Sequence, residues 1–218
     1  MSRLIAPAER AYQRKVLFAA EVVDGVTLAR ISRGVTVSAS AIAAPPVVNA
    51  SGMFVWLDDG VPLAPQQVSV DPGLLPYLGA SVTTPLPPQR LVQIQLAPGR
   101  GYAFQAGVTA LRFSLIVSDI GPPVPAADVE VFLRWYDAGA VPPWTDAPVR
   151  SRTDVHGDAS AALRFRRADE PAKDAAGALR VRLCAQRGGN VTMSNEFVLA
   201  EGRVTDQPTA FALNKFLP

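Results

Sequence analysis

Residues 129–135 read Val129-Glu130-Val131-Phe132-Leu133-Arg134-Trp135. Val129, Val131, Leu133 and Trp135 alternate with Glu130, Phe132 and Arg134, a period of two that gives an extended chain one strongly apolar face and one mixed face. Upstream, Leu111, Phe113, Leu115 and Val117 alternate in the same way with Arg112, Ser114 and Ser118. Downstream, Leu163 and Phe165 oppose Arg164 and Arg166, Leu179, Val181 and Leu183 oppose Arg180 and Arg182, and Phe197 and Leu199 close the set. This half of the chain therefore reads as half-buried β-strands.

The first half carries the same rhythm. Val16 to Val23 reads as a strand, Gly25 as a turn, and Val35, Val37, Ala39 and Ala41 alternate with Thr36, Ser38 and Ser40. Ala44-Pro45-Pro46 breaks the pattern, Asn49 to Gly52 forms a turn, and Met53 to Leu57 resumes an aromatic-rich extended run. Val68 and Val70 predict one more strand, and Val92, Ile94 and Leu96 another. Leu74 to Arg90 holds Pro76, Pro85, Pro87 and Pro88, which predicts an extended connector rather than a ladder strand. Ala140 to Pro148 reads as a Pro-rich loop. Asp169 to Gly177 alone invites a helix, cut to a turn or two by Pro171 and Gly177.

Composition agrees. Half of the 218 residues are hydrophobic (49%) and 18% are charged, so the disorder signature of low hydrophobicity with high net charge is missing. The 20 prolines and 16 glycines fall between short apolar runs, which suits many strands and turns rather than long helices. A chain of this length holds one large core or two of roughly 90 to 100 residues. The restart of the pattern after Gly107 favours two, with an N-terminal arm over 1–15, a first sandwich over 16–98, a second over 99–203 and a C-terminal arm over 204–218. The expected fold is all-β, two tandem antiparallel sandwiches of Ig-like or transthyretin-like type.

An internal repeat supports two copies of one unit. Glu21 to Asp24 leading into Ile31 to Val37 has a counterpart in Leu115 to Asp119 leading into Val124 to Val131, and the turn Asn49-Ala50-Ser51-Gly52 has one in Thr153-Asp154-Val155-His156-Gly157. The second copy resembles the carboxypeptidase regulatory-like domain, whose outline is PVPGAxV followed by TDxxGxFxF. The matching residues are Pro123-Val124-Pro125-Ala126-Ala127-Asp128-Val129 and Thr153 to Ala161, with Ala127 in place of the central glycine and Ala159 in place of the aromatic after the turn. The resemblance covers about 90 residues. It implies a small sandwich of transthyretin-like topology that serves as a structural or adhesive module beside other domains, with no active site of its own. Transthyretin-like folds also include a hydroxyisourate hydrolase with a tyrosine-bearing C-terminal tetrapeptide; this chain ends Asn214-Lys215-Phe216-Leu217-Pro218.

Catalytic chemistry finds few candidates. A serine or cysteine hydrolase needs a base, usually histidine, and His156, in the Asp154-to-Asp158 turn, is the only one. Asp154 and Asp158 lack the run of carboxylates of a calcium loop, and Asp58-Asp59 before Gly60 reads as a turn. Gly99-Arg100-Gly101 and Gly188-Gly189 lead into no helix that could hold a phosphate. Cys184 is the only cysteine, so no intrachain disulfide and no cysteine zinc cluster can form. The expectation is no catalytic residue, no metal and no cofactor.

Binding residues are easier to name. Trp135 alternates in phase with core residues, whereas Trp144 lies in a Pro-rich loop and is the candidate for an exposed aromatic. Arg164, Arg166, Arg180 and Arg182, with Arg134 near them, form a basic face if their strands are neighbours. That face is either an ordinary solvated one, partly balanced by Glu130 and Asp169, or a docking surface for an acidic protein partner. Phe211, Leu213, Phe216 and Leu217 either pack on the chain's own sandwich or lie as an added strand on a neighbouring subunit.

The net charge of +2 does not point to nucleic acid, and aromatic interleaving for base stacking is absent. Charges in the first residues and the lack of any span of about 20 apolar residues predict a cytoplasmic chain with no membrane segment. The expected role is a non-enzymatic subunit of a larger assembly, its partners other protein subunits, copies of itself included. In overall style, through no single motif, it resembles the cap, collar and adaptor subunits of phage tail-like contractile injection particles. The alternatives are a carbohydrate- or peptide-binding adhesive module near Trp144, and a hydrolase built on His156.

Overall fold

The computed structural model describes residues 15–58, 65–84, 90–165, 169 and 171–218. Residues 1–14 of the N-terminal arm, Asp59 and Arg166 lie outside them. The fold is all-β. The first half contains β1 (Val16–Asp24), β2 (Thr36–Ala39), β3 (Val47–Val48), β4 (Phe54–Leu57), β5 (Gln66–Asp71), β6 (Ala80–Thr84) and β7 (Leu91–Leu96). The second contains β8 (Thr109–Ile116), β9 (Glu130–Tyr136), β10 (Trp144–Asp146), β11 (Ser151–Arg152), β12 (Asp158–Leu163), β13 (Ala178–Arg187), β14 (Asn190–Met193), β15 (Phe197–Ala200), β16 (Val204–Asp206) and β17 (Phe211–Ala212).

In the first half a sheet ordered β3-β4-β1-β7 faces a sheet ordered β2-β5-β6. Their inward residues form one core around Phe18 and Trp56, whose rings stack with centroids 4.4 Å apart, with Val22, Val68, Val70, Ile94 and Leu96. In the second half β10-β9-β13-β14, with β11 on β9 and β15 on β13, faces β12-β8-β16, with β17 also on β8. That core holds Phe113, Leu115, Val131, Leu133, Trp135, Val181 and Leu183, the apolar phase of the alternation read above. Most pairings are antiparallel, but β7 runs parallel to β1, and β16 and β17 run parallel to β8. Each parallel partner is distant in sequence, as a parallel pair requires a crossover.

One topology occurs twice. Strand β1 pairs with β4 and, in parallel, with β7, just as β8 pairs with β12 and, in parallel, with β16. Opposite them, β2 pairs with β5 and β5 with β6, as β9 pairs with β13 and β13 with β14. The turns repeat too. Asn49 N–H donates to the Met53 carbonyl and Gly52 N–H to the Asn49 carbonyl; Asp154, Asp158 and Gly157 make the same pair of bonds, as do Asp174, Ala178 and Gly177. In each case the Asx side chain accepts the backbone N–H four residues on, an Asx turn closed by glycine.

Three readings are corrected. The Ala140-to-Pro148 loop contains β10, which puts Trp144 on a strand beside β9. The Leu74-to-Arg90 connector contains β6, because Ala80 to Thr84 falls between the prolines and carries none itself. The helical reading of Asp169 to Gly177 gives way to the Asp174 turn; the helix among the described residues is one 3-10 turn, Leu213–Lys215. No helix there is long and apolar enough to cross a membrane.

Thr153 ties the second sandwich's loop region to its core. It is buried, its Oγ1 accepts from Val129 N–H at 2.9 Å and donates to the Ala126 carbonyl at 2.6 Å. Thr153→Val keeps the shape and strands both groups, so a loss of about 2–3 kcal/mol in a urea titration is expected.

The halves meet at a buried carboxylate. Asp24, 5% exposed at the end of β1, accepts from Val26 N–H at 2.7 Å and Thr27 N–H at 3.1 Å through Oδ1, and through Oδ2 from Tyr77 Oη at 3.0 Å and Tyr102 Oη at 2.5 Å. Burial alone would push its pKa up; the hydrogen bonds, that from Tyr102 foremost, outweigh burial and hold the carboxyl below its ordinary value. Burial, and then the hydrogen bond each phenol donates to Asp24, push Tyr77 up to about 12 and raise Tyr102 as well. Around this clamp lies a small apolar cluster of Val26, Tyr102, Ala110, Val149 and Ala162 that draws on both halves. The connecting backbone is held on both sides: Ala97 accepts from Leu78 N–H, Pro98 from Ser151 Oγ and Gly99 from Ser160 Oγ.

Candidate interaction site

The outward face of β9 and β13 is an array of guanidinium groups and aromatic rings. Alternation turns Phe132, Arg134 and Tyr136 outward on β9, and Arg180, Arg182 and Cys184 outward on β13. The register sets Arg182 opposite Arg134 and Cys184 opposite Phe132. On the other side of β9, Trp144 pairs with Tyr136 and Asp146 with Arg134. Three arginines lie over rings: Arg150 over Phe132 at 3.5 Å from the centroid, Arg180 over Tyr136 at 4.2 Å and Arg182 over Trp144 at 4.3 Å. A guanidinium over an aromatic face is attracted by the ring's quadrupole, and its planar form suits stacking.

Two carboxylates answer these charges. Asp146 accepts from Arg134 Nε at 2.5 Å and from Arg150 Nη2 at 3.4 Å; Glu196 takes Arg180 in a fork at 2.5 and 2.9 Å. The hydrogen bond that Arg134 donates to Asp146 raises the Arg134 pKa, and the one that Arg180 donates to Glu196 lowers the Glu196 pKa. Cys184 is buried under this layer, and burial pushes its thiol up to about 11, so near neutral pH it stays protonated and is a poor nucleophile.

The expected basic face is redrawn by the sheet assignment. Arg164 follows β12, which pairs with β8, whereas Arg180 and Arg182 lie on β13, which pairs with β9. The two strands belong to opposite layers, so Arg164 does not join that face; Arg134 and Arg150 do. Arg150 and its ring contact leave no periodic trace, since Arg150 stands between β10 and β11. Trp144 sits at the edge of the array, edge-on to Tyr136 with centroids 5.4 Å apart.

The C-terminal segment lies along the second sandwich itself. The Phe211 ring meets Phe113, Phe197 and Phe216 at 5.8, 5.6 and 6.3 Å, and Leu213 also packs on the core. Leu217, half-exposed, exchanges backbone hydrogen bonds with Met193 at the β14 edge. A surface depression of about 470 Å³ here is lined by Asp119, Glu196, Phe197, Phe211, Lys215 and Phe216. His156 does not line it. That histidine is exposed in its turn, with its backbone N–H on Asp154 Oδ1, and His156→Ala is expected to change stability by less than about 0.5 kcal/mol. Among the described residues no group of three or more His, Cys, Asp or Glu could hold a metal ion.

No family model matches the chain, and no curated protein matches it. Among solved structures it is similar to the Bacillus anthracis TIE protein, at 11% identity and TM-score 0.28, over 90% of this chain and 34% of that one. It is also similar to the Streptococcal ancillary pilin, at 11% identity and TM-score 0.27, over 90% of this chain and 63% of that one. The chain thus spans about a third of the first structure and under two thirds of the second.

Proposed function

We propose that the chain is a non-enzymatic building block of a larger protein assembly, in which two sandwiches, residues 16–98 and 99–203, are held at a fixed angle and present surfaces to other subunits. Segment 204–218, an arm in sequence, travels with the second of them. The observation that carries this reading is the junction. A loose tether between independently acting domains has no use for a buried carboxylate with four donors, whereas a spacer needs its two ends fixed relative to each other. Inter-domain motion is the default unless the interface is firm, and here core residues and connecting backbone are engaged from both sides. A cap, collar or adaptor subunit is the finer form of this reading. A sugar-binding platform at Trp144 is less favoured, because Arg182 already lies over that ring.

The test is backbone ¹⁵N relaxation on the full chain. Amides of both halves are expected to share one rotational correlation time and one diffusion tensor. Two separate tumbling times would overturn the spacer reading.

A further inference from the structure

Arg182 differs from its neighbours in hydrogen-bonding no carboxylate among the described residues, although Glu196 lies within electrostatic reach. Arg134 and Arg150 share Asp146, and Arg180 is forked on Glu196. The Arg182 Nη1 reaches only the thioether of Met193 at 3.3 Å, and its Nε is buried without an acceptor. A thioether is a weak acceptor, and a guanidinium carries five donors. Arg182 also stands directly across the antiparallel pair from Arg134, and like charges in that position repel unless an anion intervenes. Asp146 and Glu196 hold Arg134, Arg150 and Arg180, and Glu130 lies further along the same face of β9, so the four arginines outnumber these three carboxylates by one.

We propose that Arg182, braced on Trp144, is the anchor for a carboxylate of a partner protein, an Asp or Glu side chain in an acidic segment laid across β9 and β13. This rests on the reading of the chain as an interaction subunit and names the chemistry of its partner. A single carboxylate matches the site: it satisfies the planar fork, bridges Arg182 and Arg134, and brings the face towards neutrality. A phosphate chain fits less well, because Asp146 and Glu196 flank the position and would repel a polyanion. The brace matters as much as the charge, since a guanidinium already stacked on a ring loses less side-chain freedom on binding.

The experiment uses the ¹⁵N-labelled full chain with a hexaglutamate peptide as probe, following the Arg182 Nε–Hε and Trp144 indole N–H signals. Both signals are expected to shift saturably, more strongly at low salt. Arg182→Gln is expected to weaken binding about tenfold or more, and Arg182→Lys, which keeps the charge but not the fork, by a smaller factor of several. Arg152→Gln, on the rim of the sheet, leaves it unchanged. The assignment is overturned if neither signal moves, if Arg182→Gln binds as well as the parent, or if inorganic phosphate or an oligothymidylate shifts the two signals as strongly as the peptide. The relaxation experiment involves no peptide, so the anchor can fail while the fixed spacer stands, and the reverse.

Discussion

Asp24→Ala destabilises the chain by about 3–5 kcal/mol and frees the two halves to tumble separately. The substitution removes one carboxylate and strands four donors. The Tyr102 hydroxyl and the Val26 N–H are buried, and each buried donor left without an acceptor costs about 1–3 kcal/mol. Tyr77 and the Thr27 N–H are only partly buried and can turn to water, so they add little. Asp24→Asn keeps an oxygen for the two backbone donors but loses the charge that strengthens the phenol bonds, and a loss of about 1–2 kcal/mol is expected. Urea titrations give the ordering, and ¹⁵N relaxation shows whether the junction has opened. An Asp24→Ala protein within about 1 kcal/mol of the parent would mean that water fills the carboxylate's place.

The same clamp sets two pH limits. The Asp24 carboxyl lies below its unfolded value of 3.8 in the folded chain, so its stabilisation is complete above that value and is lost as pH falls through the folded one. For Tyr77 and Tyr102 the shift runs the other way, upwards from 10.0. Their contribution is complete below pH 10 and is lost as pH rises from there, through about 12 for Tyr77. Tyr102→Phe should therefore flatten the alkaline limb of the stability curve and weaken the acid limb as well, since it removes the hydrogen bond that does most to hold the Asp24 carboxyl down.

The clamp could not be read from the sequence. Asp24-Gly25 looks like any turn, and its phenol partners lie 53 and 78 residues away, a separation that no local period reveals. Alternation was legible wherever a strand contrasts apolar with polar residues, as at β9 and β13. It failed at β12, where Ala159, Ala161 and Ala162 are buried with Ser160 between them and small side chains offer little contrast. It also says which residues share a face of one strand, never which strands are neighbours. Hence Arg180 and Arg182 share one side of β13, Arg164 joins them only if β12 and β13 are neighbours, which the sheet order excludes, and Arg150 over Phe132 leaves no periodic signal.

Gly157→Ala is expected to cost more than about 3 kcal/mol, against about 1 kcal/mol for the same change at Gly177. The two residues make a controlled pair. Both close an Asx turn by donating to the carbonyl of an aspartate three residues back, and both have a left-handed backbone, φ +77° and +75°. The strain of placing alanine there is therefore common to both, and is partly offset by the narrower unfolded ensemble of alanine. What differs is the surroundings. A Cβ on Gly177 meets nothing within 4 Å, whereas one on Gly157 falls 2.3 Å from the Leu115 carbonyl oxygen and 3.3 Å from the Ala126 nitrogen. Those atoms are backbone and are themselves bonded, Ala126 N–H to the Leu115 carbonyl and Leu115 N–H to the Gly157 carbonyl, so no rotamer change can make room. The β8 end and the Pro125–Ala126 segment must move apart, which breaks the contact that closes this end of the second core. Thermal unfolding of the two variants measures the difference directly; equal losses would show that the strained turn, and not the close approach of backbone, is why glycine occupies position 157.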